Sequence, residues 1–227
     1  MPLAPDRFVM PGRLGRRTLL AGFAASLAGP ALAMPAPMGR WPVVTMLGDS
    51  ITAGLGLPAA AALPAQLELG LTRLGTPATV RGAGVSGDTT ADGLARLDFS
   101  VQGDTDVCVV ALGGNDLLQG VDPKRVRANL DAIVKRLKAR RIGVVLAGQS
   151  APRAVGAGYA RDFDAVFPAV ARAAAVPLYP DLLAGVGPAL RQADGVHPNA
   201  AGVKVIVAGL APIVAKALRA RMALSRR

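Results

Sequence analysis

Val107-Cys108-Val109-Val110-Ala111-Leu112-Gly113-Gly114-Asn115-Asp116 is an apolar run that stops abruptly at two glycines and two polar residues. A run without polar alternation reads as a β-strand buried on both faces, as in a parallel sheet covered by helices. The same unit recurs on either side. Residues 43–47 are strand-like and close on Gly48-Asp49-Ser50. Residues 79–81 are a weaker strand followed by Gly82-Ala83-Gly84-Val85-Ser86-Gly87, and residues 142–147 and 176–179 are two more. Between them lie helix-length segments at 59–74, 90–97, 123–140, 161–174 and 199–219. Asp122 before Pro123 reads as a cap and first helical position, and Asn199 as the cap of the closing helix. Alternating strands and helices predict an α/β fold, a mostly parallel sheet with helices on both faces. In such sheets ligands bind outside the carboxyl ends of the strands. The polar clusters obey that rule: Gly48 to Ser50, Gly84 to Thr89 and Gly113 to Asp116 each follow a predicted strand.

Those loops, with one segment near the carboxyl end, contain the parts of an acyl-transfer site. Such a site needs a nucleophile, a base, a group that orients the base, and donors for the oxyanion. Ser50 is the best-placed hydroxyl, directly after the first strand. The chain has 1 histidine, His197, in Asp194-Gly195-Val196-His197-Pro198-Asn199. An imidazole exchanges protons near neutral pH, so any such chemistry here falls to His197. Asp194, three residues earlier, can fold back in a turn to Nδ1 and hold the tautomer. The Ser50 N–H, the Gly87 N–H and the Asn115 side-chain amide supply three oxyanion donors. Asp49, Asp88 and Asp116 read instead as loop hydrogen-bond formers.

Bulk composition narrows the classes. Arg16-Arg17-Thr18-Leu19-Leu20 precedes an apolar run to Leu32 that closes on Ala31-Leu32-Ala33. This has the layout of a signal peptide of twin-arginine type, residues 1–33, cleaved after Ala33. Its apolar run is shorter than the ~20 residues of a membrane span. Residues 34–227 are then expected to form a single exported domain, periplasmic or secreted, with no later segment long and apolar enough to cross a membrane. Removing Arg7, Arg13, Arg16, Arg17 and Asp6 from the 26 basic and 15 acidic residues leaves 22 and 14, a net charge of +8. The basic residues are scattered, apart from a cluster at 135–141 at a helix end and the tail Arg226-Arg227. With 4% aromatics there is no basic stripe with base-stacking partners, which argues against nucleic acid. Cys108 has no disulfide partner and reads as a small buried hydrophobe, with a catalytic thiol the weaker reading. One His and one Cys without ligand spacing make no zinc site, so no metal is expected.

Taken together, Gly48-Asp49-Ser50, Gly87 in Ser86-Gly87-Asp88-Thr89, Gly113-Gly114-Asn115-Asp116 and Asp194-Gly195-Val196-His197-Pro198 resemble, in order, the blocks of the SGNH, or GDSL-type, serine hydrolases. The resemblance runs from about Val43 to Val214 and is greatest to the arylesterase, acyl-CoA thioesterase I and lysophospholipase L1-like branch. It implies a flavodoxin-like three-layer α/β/α sandwich with about five parallel strands. It implies Ser50 as nucleophile, His197 as base, Asp194 as its orienter, and Ser50, Gly87 and Asn115 as oxyanion donors, with no cofactor. The expected partner is a small ester or thioester, hydrolysed through an acyl-enzyme. A glycan O-deacetylase, acyl transfer to an alcohol, and an exported binding protein with a vestigial triad stand as alternatives. The chain departs from the pattern at Leu55, at Leu63 and at Asp181-Leu182, where aromatics are common, and at Gly82, where asparagine is frequent. A reshaped acyl pocket is expected, with residues 117–121 either its wall or an ordinary connecting loop. Oligomeric state is not specified.

Overall fold

Every strand expected from the apolar runs is present in the computed structural model, which describes residues 40–225. β1 (Val43–Gly48), β2 (Thr79–Gly84), β3 (Val107–Ala111), β4 (Gly143–Ala147) and β5 (Leu178–Tyr179) form one sheet. All neighbours are parallel, in the order β2-β1-β3-β4-β5. The helices are α1 (Ser50–Ala53), α2 (Leu63–Arg73), α3 (Thr90–Ala95), α4 (Leu97–Ser100), α5 (Gly114–Leu118), α6 (Pro123–Ala139), α7 (Ala157–Asp164), α8 (Val166–Ala174) and α9 (Ala200–Ser225). The leader expected at 1–33, its cleavage point and the Arg226-Arg227 tail lie outside the described residues.

The run that opened the sequence reading shows why both sides of the sheet must be covered. Val107, Val109 and Ala111 join one core with Leu63, Leu67 and Leu71 of α2 and Val203, Ile206 and Leu210 of α9. Cys108, Val110 and Leu112 face the other way, into a second core with Val126, Leu130 and Ile133 of α6 and Phe167 and Val170 of α8. Each such aliphatic side chain contributes about 1.5–3 kcal/mol on full burial, so neither layer is dispensable. The result is the α/β/α sandwich.

Several helix limits differ from expectation, and prolines account for two of them. The segment from 59 does not run as one helix. Pro64 has no N–H for the Ala60 carbonyl, so α2 starts at Leu63 with Pro64 in its first turn. The Ala60 carbonyl instead accepts from Gln66 Nε2 at 2.6 Å. Likewise Pro168 offers nothing to the Asp164 carbonyl, and the expected 161–174 helix divides into α7 and α8. At the other end, Asn199 caps α9, its Oδ1 accepting from the N–H groups of Ala201 and Gly202 at 3.0 Å each. Nothing after residue 219 stops a helix, and α9 runs on to Ser225. Within Ala200–Leu224 an 18-residue window has a mean hydropathy of 1.8, so this helix is long and apolar enough to cross a membrane by length and composition. This corrects the expectation that no such segment follows the leader; here half of that window is buried in the fold.

Strand order decides where a ligand can sit. β1 lies between β2 and β3, and the connections after β1, through α2, and after β3, through α6, pack on opposite faces, so a crevice opens at the β1/β3 carboxyl ends. The register brings Gly48 level with both Gly84 and Ala111, so the three following loops emerge side by side.

Candidate active site

The turn after β1 presents Ser50. Asp49 caps α1, its Oδ1 accepting from the Ile51 N–H at 3.0 Å. Ser50 is therefore the first residue of a helix, where backbone N–H groups have no partner one turn back. The turn fits only because Gly84 has no side chain: a Cβ there would stand 2.3 Å from the Ala53 nitrogen and 2.6 Å from the Asp49 carbonyl oxygen. Ser50 itself is 8% exposed.

Across the rim, residues 191–198 form a hairpin closed by an antiparallel bridge between Arg191 and Pro198. Its turn carries Asp194 and His197. One Asp194 oxygen accepts from the N–H groups of Val196, at 2.8 Å, and His197, at 3.0 Å. The other meets His197 Nδ1 at 2.7 Å. The Val196 N–H above all, then the His197 ring and the His197 N–H, pull the Asp194 carboxyl down to about 2. A carboxylate can only accept, so Nδ1 carries the hydrogen and Nε2 has a free lone pair. That lone pair faces Ser50 Oγ at 2.8 Å. Residues 147 apart thus meet as the sequence anticipated, and Asp194 reaches Nδ1 by the expected backward turn.

The remaining donors converge on the same spot. Asn115 Nδ2 gives one hydrogen to the Asp88 carbonyl at 2.9 Å, keeping its second for the cleft. Gly87 has φ +88 and open space where a Cβ would point. That conformation is costly for any residue with a side chain. The turn's own hydrogen bond runs from the Asp88 N–H to the Val85 carbonyl and leaves the Gly87 N–H out. The carboxylates set aside in the sequence reading do bond within loops. Asp88 pairs with Arg96 at 2.5 Å, and the same guanidinium donates to the Gly48 carbonyl at 2.8 Å, tying the two loops together. Asp116 accepts from the Thr90 N–H and Oγ1 at 2.7 and 2.6 Å, fixing α5 to α3.

Asp49 is a carboxyl beside the nucleophile that sits well above the ordinary range. Burial pushes its carboxyl up to about 6 against an ordinary 3.8, opposed by the Ile51 N–H, its own backbone and His197, and reinforced by Asp88. The folded state therefore holds this proton more tightly than the unfolded chain. Its stabilising contribution is complete below pH 3.8 and is lost as pH rises through about 6. The gap corresponds to roughly 3 kcal/mol. Asp49→Asn keeps the capping oxygen without the charge, so it is expected to gain stability over wild type at pH 8 relative to pH 4 by up to that amount. Denaturant midpoints at the two pH values measure this; parallel curves for the two proteins would dismiss Asp49 as the buried titrating group.

The cleft has a volume of about 540 Å³, with Ser50, His197, Gly87 and Asn115 on its wall beside Ile51, Leu117, Leu183 and Val196. Of the positions where the chain departs from the family pattern, Leu55 and Asp181 border it. Leu63 and Leu182 are fully buried in the core, and Gly82 sits against Pro64, away from the cleft. Reshaping is thus confined to two of these positions. Residues 117–121 are partly helix, since α5 reaches Leu118, and Leu117 and Leu118 do wall the cleft. The segment is tied down by the Tyr159 hydroxyl, which donates to the Val121 carbonyl at 2.9 Å. Cys108 is fully buried, and burial pushes its thiol up to about 12, which leaves it no nucleophilic thiolate. Among the described residues no group of three or more His, Cys, Asp and Glu side chains is placed to hold a metal ion. Sequence reasoning missed Arg96, which ties the first two loops, and Gln192, which donates from the hairpin to the Leu55 carbonyl. Neither carries a spacing signal.

A parallel α/β sheet with a serine, an oriented histidine and convergent amide donors at its carboxyl edge is the architecture of a serine hydrolase. The chain belongs to the GDSL-like lipase/acylhydrolase family, whose model matches residues 46–205. It is 38% identical over 156 residues to the esterase TesA of Pseudomonas aeruginosa, covering 67% of this chain and 78% of that protein. It is 36% identical over 157 residues to thioesterase 1/protease 1/lysophospholipase L1 of Escherichia coli K12, covering 68% and 74%. Among solved structures, AlinE4, an esterase of the SGNH-hydrolase family, superposes with a TM-score of 0.67 at 43% identity, over 80% of this chain and 98% of that one. The chain is accordingly an SGNH-type serine esterase, a hydrolase of carboxylic esters.

Proposed function

We propose that Ser50 is the nucleophile, His197 the general base and Asp194 its orienter, acting on esters or thioesters with small or medium acyl chains. The observation that carries this reading is the unbroken relay of 2.8 Å from Ser50 Oγ to His197 Nε2 and 2.7 Å from Nδ1 to Asp194, opening into an apolar-walled cleft. Ser50 Oγ attacks the acyl carbon while Nε2 takes its proton. The carbonyl π pair moves to oxygen, where the N–H groups of Ser50 and Gly87 and the Asn115 amide meet the negative charge. One such donor is worth about 3 kcal/mol in the transition state. The imidazolium returns its proton to the leaving oxygen or sulfur as that bond breaks, leaving a Ser50 acyl ester. A water molecule, deprotonated by Nε2, then attacks the ester and regenerates Ser50.

Supported by the Arg16-Arg17 and Ala31-Leu32-Ala33 patterns, the proposal also places a leader at 1–33 and an exported domain at 34–227.

A fluorophosphonate probe tests the assignment. Incubated with the folded protein, it is expected to form one adduct, mapped by mass spectrometry to the peptide containing Ser50. Labelling should slow toward acid pH as the imidazole takes up a proton. Hydrolysis of p-nitrophenyl butyrate by protein that resists labelling, or an adduct at another residue, would remove Ser50 from the role.

A further inference from the structure

We propose that Gln192 is a positioning residue of this reaction, holding the hairpin that carries His197 at the distance from Ser50 that proton transfer requires. The proposal rests on the roles assigned to Ser50 and His197 above. Gln192 Nε2 donates to the Leu55 carbonyl at 2.8 Å and to the Pro198 carbonyl at 3.0 Å, so both its hydrogens are used. The first bond spans 137 residues and reaches from the histidine hairpin to the turn behind the nucleophile.

These contacts complete a closed circuit. The Leu55 N–H donates to the Ser50 carbonyl at 3.0 Å. The Leu55 carbonyl accepts from Gln192 Nε2, and the Gln192 N–H donates to the His197 carbonyl at 2.8 Å. His197 Nε2 then meets Ser50 Oγ. Serine and histidine are thus joined twice, once through the reacting atoms and once through the Gln192 amide. The two supports of the imidazole differ in kind: Asp194 sets its tautomer and rotation, whereas Gln192 sets where the hairpin stands relative to Ser50. The site is shaped for this amide. A Cβ on Gly56 would lie 2.2 Å from Gln192 Oε1. The seam between Ser50, Leu57, Gln192 and Pro198 has no room for water. Without the amide, the Leu55 and Pro198 carbonyls lose their shared donor, and water taking its place would bond each carbonyl without linking the hairpin to the turn.

The test uses Gln192→Leu and Gln192→Glu, the second filling the same volume without a donor. Gly56→Ala adds a variant that displaces the amide while leaving position 192 intact. For p-nitrophenyl acetate, kcat is expected to fall between about tenfold and a hundredfold, as displacements of about 1 Å do elsewhere. KM should change by less than about threefold, because Gln192 does not itself line the cleft and the shift needed to spoil proton transfer is small against the size of the cleft. The rate of fluorophosphonate labelling at Ser50 should fall in step with kcat, measured per folded molecule after correction by circular dichroism. A folded variant at position 192 that keeps wild-type kcat and labelling rate, with only a lower melting temperature, overturns the proposal and leaves Gln192 a structural link. Failure of the underlying reading looks different, since wild type itself would then escape labelling at Ser50.

Discussion

His197→Ala is expected to lower kcat/KM for short p-nitrophenyl esters by roughly 10⁴- to 10⁶-fold, the range seen when a triad base is removed. The size of the effect follows from the chain's single histidine. No neighbouring imidazole can move into the gap. The nearest alternative titrating group is Asp49, whose carboxyl stands at about 6, but its Oδ1 is engaged by the Ile51 N–H at 3.0 Å in the cap of α1. Asp194 cannot serve, because the bonds that pull it down to about 2 make it a poor proton acceptor at neutral pH. Added imidazole should enter the space left by the ring and restore part of the rate with saturation. In wild type Asp194 is held at about 2, so an acid limb of the rate profile above that pH does not report the orienter. Retention by His197→Ala of more than about a hundredth of wild-type kcat/KM would sink the assignment of the base.

Ser50→Ala is expected to cost a similar 10⁴- to 10⁶-fold in kcat, with a different residue of function. Removing the hydroxyl leaves His197, Asp194 and all three proposed oxyanion donors in place, including the backbone N–H of residue 50. The variant should still bind esters in the cleft and still activate water weakly, with turnover about 10³-fold above the uncatalysed rate. Its stability should equal or slightly exceed that of wild type, because a hydroxyl 8% exposed, which the proposed role retains for chemistry, has been replaced by a methyl that fits the same turn. Kinetics at saturating substrate, alongside equilibrium binding of a slow ester to Ser50→Ala, separate the two effects. A variant with wild-type turnover would assign the nucleophile elsewhere.

Much of the fold was readable because it depends on local patterns. The run at 107–112 is apolar on every residue since β3 packs helices on both faces, and that alone announces a parallel sheet. Caps at Asp122 and Asn199 act on N–H groups two or three residues away, so they too are visible in the chain. The helix breaks at Pro64 and Pro168 are equally local, each set by a residue with no N–H to give the carbonyl four positions earlier. The full reach of α9 was harder, since no breaker marks its end.

Ser50, Asp194, His197, Gly87 and Asn115 could be named from their residue types and their places after strands or within one turn. The chain itself dictates these because each depends on chemistry carried by a short segment: a hydroxyl at a strand end, a carboxylate three residues before an imidazole. Distance across the rim is another matter. The 2.8 Å between residues 50 and 197 exists only because the order β2-β1-β3-β4-β5 opens a crevice beside β1 and brings the hairpin at 191–198 to it. The circuit through Gln192 and the link from Arg96 to the Gly48 carbonyl belong to the same level. A glutamine or arginine has no pattern that names its distant partner, and which carbonyl it reaches is decided when the layers pack.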